Sequence, residues 1–146
     1  MKTETLGLVV GGLLPAVMFA LSGVLQKVSS NTGIGLGPFL IATGLAIVAV
    51  GGIAWLVYPE RAVNSAGLLS AFGMGVAWAF GVSAVIVALS RFTIPLSKLV
   101  PLYNTNTLLA ILISLVIFAE WQQVQTFKLL LGAIPIICGS ILAAGS

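Results

Sequence analysis

The sequence has no histidine, only three acidic residues and one cysteine among 146 residues, and charged side chains make up 6% of it. Each shortage removes a class of chemistry. A zinc site of the usual kind and a Ser-His-Asp triad both need histidine. An internal disulfide needs a partner thiol that Cys138 does not have. A paired-carboxylate site would have to unite Glu4, Glu60 and Glu120, which stand far apart in the chain. The inventory therefore points away from an enzyme, and no cofactor or metal is expected. The net charge of +3 rests on too few groups to indicate a nucleic-acid partner, and it suits anionic membrane lipid equally well.

Apolar residues, by contrast, make up 60% of the chain. A soluble domain is roughly one quarter charged, and folding this sequence into a water-facing globule would leave apolar side chains over most of its surface. The solvent it is written for is lipid. Five apolar segments stand between short polar or turn-forming breaks: residues 6–28, 38–58, 66–89, 95–119 and 126–145. At about 20 to 25 residues each, they have the length of one helical crossing. They are continuously apolar rather than alternating, which disfavours a barrel. The expected fold is all-α: a polytopic membrane protein, one domain over residues 1–146 with a bundle of five transmembrane helices. The breaks fall at Ser29–Gly33, Pro59–Arg61, Ser90–Thr93 and Glu120–Gln123. A secretory signal ending near Ala20 is the other reading of the start, but the apolar run continues to Val28 and is long enough to span a bilayer.

Five crossings place Lys2, Arg61 and Lys128 on one side and Lys27, Arg91 and Lys98 on the other, an even division of the six basic residues. Such a balance gives the positive-inside rule nothing to act on. Two outcomes fit: dual topology, in which copies insert in both orientations, and a single orientation fixed by a marginal difference or a partner. Trp55, Tyr58 and Trp121 stand at predicted helix ends, where amphipathic rings sit at the headgroups.

The fourth segment is the most informative. Tyr103, Asn104, Asn106, Thr107 and Ser114 share one face of a continuous helix. Leu102, Leu109, Leu112 and Val116 lie opposite with Thr105, whose hydroxyl is expected to bond back to the Pro101 carbonyl. A polar face beside a midspan proline reads as the wall of a hydrated substrate cavity; the alternative is hydrogen-bonded glue between helices. In the first segment Gly11, Pro15, Met18, Ser22 and Gln26 make a second small-and-polar stripe, read either as cavity wall or as close packing with Gln26 snorkelling. In the third, small residues recur as Gly73, Ala77, Gly81 and as Gly75, Ala79, Ser83, with Trp78 between the ridges. Trp78 reads as a stacking surface for a ligand or as a core residue bonded through its ring nitrogen. Lys98 is expected to snorkel to the headgroups and Cys138 to be a packing residue. No carboxylate falls inside a predicted span, which argues against coupling by a buried acid.

Five helices in about 140 residues, the loop Phe92-Thr93-Ile94-Pro95 leading into the fourth helix, and Ala119-Glu120 closing it together resemble a single EamA-type domain of the drug/metabolite transporter superfamily. That resemblance implies a five-helix half-unit that pairs with an inverted second copy around a cavity for a small metabolite. It also implies a structural role for Glu120. The small multidrug resistance branch also uses separate, oppositely oriented subunits, but with four helices and an acid within the first; residues 6–28 here contain none.

The function expected is a small-metabolite transporter, a homodimer, antiparallel where topology is dual, in the cell membrane (the inner membrane if bacterial), working by alternating access. Its candidate substrate-binding residues are Tyr103, Asn104, Asn106, Thr107, Ser22, Gln26 and Trp78. The alternative is a non-transporting membrane subunit that joins a larger complex through its third helix.

Overall fold

The computed structural model describes residues 2–122 and 124–145. Met1, Ser146 and Gln123, the last residue of the expected fourth break, lie outside the described residues, as do the side chains of Lys2, Glu4 and Glu120. Everything ordered is helical: α1 (Lys2–Leu8), a π-helical segment (Val9–Leu13), α2 (Leu14–Asn31), α3 (Leu36–Val57), α4 (Ser65–Ser90), α5 (Leu96–Tyr103), α6 (Asn106–Ile117), a 3-10 turn (Glu120–Gln122) and α7 (Thr126–Gly145). No strand occurs among the described residues. Five stretches are long and apolar enough to cross a membrane: Thr5–Asn31, Leu36–Val57, Ser65–Ser90, Leu96–Ile117 and Thr126–Gly145. The chain is thus an all-α, multi-pass membrane protein.

Local chemistry sets the boundaries. The first span runs to Asn31 rather than the expected Val28, because Ser29 and Ser30 are compatible with a helix and the stop is Gly33, whose φ of 75° costs glycine little. Thr32 closes that end by donating its hydroxyl to the Ser29 carbonyl at 2.7 Å. Pro38 sits in the first turn of α3, where a missing N–H is harmless. Asn64 starts α4 by accepting the Gly67 amide on Oδ1 at 2.7 Å. Beyond α3, the Arg61 guanidinium lies 5.9 Å from the Trp55 ring centroid, a cation–π contact at the expected headgroup level.

The helices gather into two compact units, Met1–Thr93 and Ile94–Ser146. In the first, α2 and α3 both pack on α4. The buried residues are Gly23 and Gln26 of α2 and Ile86 and Leu89 of α4, all toward one end of the unit. Toward the other end every described side chain of α1, the π segment and the first half of α4 is exposed. In the second unit α5 packs on α7, with a smaller contact from α6. Leu115, Ala133 and Ser140 are buried there. Cys138, expected to pack, is exposed: Ala133 and Ser140, a full heptad apart, define the covered face of α7, and Cys138 falls outside it.

Candidate functional site

The fourth span is not the continuous helix that its wheel assumed. It stops at Tyr103, turns through Asn104 and Thr105, and restarts at Asn106. Pro101 prepares the break by removing the donor that would bond the Ser97 carbonyl. Four weak helix formers in a row, Asn104 to Thr107, then fail to restore the ladder.

The backbone tightens instead. The Asn104 amide still reaches the Val100 carbonyl at 3.1 Å, but Thr105 donates to Leu102 at 3.3 Å, Thr107 to Asn104 at 3.1 Å and Leu108 to Thr105 at 3.1 Å, all three-residue steps. The Thr105 hydroxyl follows that shift and donates to the Leu102 carbonyl at 2.7 Å, not to Pro101 as expected, because the tightened turn brings the nearer carbonyl into reach.

Tyr103, Asn104, Asn106 and Thr107 therefore share a break rather than one stripe of an unbroken helix. Tyr103 is the last residue of α5, Asn104 belongs to the turn, and Asn106 and Thr107 open α6. All four are exposed, Tyr103 at 37%. Among the described residues the side-chain amides of Asn104 and Asn106 and the Thr107 hydroxyl have no hydrogen-bond partner. Ser114, by contrast, is half-buried and returns its hydroxyl to the Ile111 carbonyl at 3.1 Å. Lys98 is also half-buried.

The remaining candidates belong to the first unit. Gln26 is 9% exposed, and its Nε2 donates to the Val82 carbonyl of α4 at 3.0 Å. Its amide thus joins two helices and neither snorkels nor faces open space. Ser22, one turn earlier, is exposed. Trp78 is 42% exposed on α4, so it is not a core tryptophan of this unit.

Three backbone features had no part in the expected site. The π segment precedes Pro15, and Thr93 and Ala119 hold left-handed φ values of 53° and 52° on either side of the fourth span. Ala119 has a legible reason to be small: a helix end in that conformation penalises a side chain. Thr93, branched at Cβ, has no such excuse and stores strain at the entry to α5.

The chemistry available at the break is neutral hydrogen bonding, with amides and hydroxyls that both donate and accept. The sequence matches no protein-family model, no curated protein and no solved structure.

Proposed function

We propose that the chain is one half-unit of a small-metabolite transporter, pairing with a second copy in the cell membrane (the inner membrane, if bacterial) as the resemblance to EamA-type domains implies. The observation that supports this reading is the break of the fourth span, which holds unpartnered side-chain amides within a helix stretch long and apolar enough to cross a membrane. A polar group left unsatisfied in hydrocarbon costs several kcal/mol. Interhelical hydrogen bonds in membranes return only about 0.6 kcal/mol each. The groups therefore need partners that the chain itself does not supply, and in this reading those partners are water and substrate. Interrupted helices serve transporters in this way, presenting half-helix ends and loosened backbone to a midplane ligand. In this account Tyr103, Asn104, Asn106 and Thr107 bind substrate within the second unit; Ser22, Gln26 and Trp78 are separate candidates within the first. Alternating access is rocking of the two half-units about the site.

Asn106→Leu tests it: uptake or substrate binding falls by about tenfold or more, the equivalent of one lost hydrogen bond to a bound ligand, while the amount of folded protein is unchanged. Equal loss of both would mean that Asn106 only holds helices together.

One observation favours the other reading, a non-transporting subunit of a larger complex. A methyl group added at Gly73 or Gly75 of α4 would meet nothing within 4 Å, so these small residues have no close neighbour in the chain. Purification from native membrane separates the two: a two-copy particle supports transport, and a stable complex with unrelated chains supports the subunit.

A further inference from the structure

The first span is built of two parts with opposite fixings. Its later part is tied down: Gly23 and Gln26 are buried, and the Gln26 Nε2 to Val82 carbonyl bond of 3.0 Å joins α2 to α4. Its earlier part is exposed at every described side chain from Thr3 to Leu14.

The two parts meet where the ladder changes pitch. The Leu14 amide reaches back five residues to the Val9 carbonyl, closing one π turn. Immediately after it Pro15 has no amide to give and its ring crowds the preceding turn. Gly11 and Gly12 lie inside the π turn, and a Cβ at either would meet nothing within 4 Å. Glycine has the widest backbone freedom and proline removes a restraining bond, so bending is cheapest at this point of the helix. Single π turns within α-helices frequently sit at functional sites.

We propose that the first span is a hinged arm: α1 and the π segment swing about Gly11–Pro15, while α2, held to α4 by Gln26, is the fixed post. The arm and the equally uncovered first half of α4 both run from the Gln26–Val82 bond toward the same end of the three-helix unit. The swing of the arm opens and closes that end without disturbing the packed end. This is movement inside one unit, beyond the rocking of whole half-units proposed above, and it does not depend on the chain carrying a substrate.

The test is a pair of distance distributions from electron–electron double resonance on the full chain in lipid nanodiscs. Cys138→Ala removes the native thiol, and labelled protein is diluted with unlabelled protein so that only distances within one chain are read. Leu6→Cys with Leu69→Cys spans the arm and the first half of α4. Val24→Cys with Ala84→Cys spans the post and the packed half. All four positions are exposed. The arm pair is expected to be about twofold broader than the post pair, or to show two populations, as collective helix motions do. Pro15→Ala, and separately Gly11→Ala with Gly12→Ala, should narrow the arm pair to the width of the post pair. Equal widths in the parent protein overturn the proposal. So does a broad arm distribution that neither set of substitutions narrows. Because the readout is a distance, its failure leaves the transport reading standing, and failure of transport leaves the hinge standing.

Discussion

The first and fourth spans each contain a proline and each departs from a regular α-helix, yet the departures run in opposite directions. In the first, residues Val9–Leu13 loosen into a π turn and the helix continues. In the fourth, the backbone tightens through three-residue steps and the helix ends at Tyr103 before restarting at Asn106. The difference lies in what surrounds the proline. Around Pro15 stand apolar residues and glycine, which have no side-chain hydrogen bond to offer the backbone, so the ladder keeps its own bonds by widening. After Pro101 come Asn104, Thr105, Asn106 and Thr107, four weak helix formers, of which Thr105 turns its hydroxyl to the Leu102 carbonyl. Proline among apolar residues leaves the helix continuous, loosened before Pro15 and uninterrupted at Pro135; proline followed by polar residues makes a break with exposed side-chain amides.

The comparison can be broken most decisively at the fourth span. If the break exists for its polar groups, Asn106→Leu lowers transport or binding by about tenfold or more, whereas Ser114→Ala, on a hydroxyl already bonded to its own helix, leaves it within about twofold. An uptake assay normalised to folded protein reads both. Stability changes come next. Pro101→Ala with Asn104→Leu and Thr105→Leu restores the missing donor and removes two of those weak helix formers, and unfolding in mixed micelles should show stabilisation of up to about 3 kcal/mol, the usual penalty of a helix-interior proline. The same triple variant should gain amide hydrogen-exchange protection at residues 104–108; unchanged protection would mean that the break is set elsewhere.

Ala119→Gly relieves a left-handed alanine at the far end of that span and should stabilise the protein by about 1 kcal/mol in the same unfolding measurement. The smallest effect belongs to the first span. Gln26→Leu loses its bond to the Val82 carbonyl, and the membrane value of about 0.6 kcal/mol is the expected destabilisation. A loss several times larger would mean that Gln26 anchors more than the contact with α4.

Most of the fold was legible from hydropathy. Five spans were read within a few residues of where they stand, because apolar length and the turn residues at Gly33, Pro59 and Pro95 act locally. The break was written in the sequence too, in the run Asn104 to Thr107, but a wheel drawn at one constant angle assumes the continuity that those residues destroy. The π turn was not legible, since Gly11, Gly12 and Pro15 are equally compatible with a simple kink. The partner of Gln26 was not legible for a different reason. The polarity of Gln26 marked it as functional, but only the three-dimensional approach of Val82, 56 residues away, shows that its amide is engaged between helices.

The central claim is that the break in the fourth span meets water within the membrane. With Cys138→Ala as background, Asn106→Cys and Leu112→Cys lie on different faces of α6, about 120° apart, and both positions are exposed. The account predicts that a membrane-impermeant thiol reagent modifies the cysteine at position 106 in intact vesicles and leaves the one at 112 untouched. Equal protection of both would place the asparagine against acyl chains or a neighbouring helix, and would contradict the account.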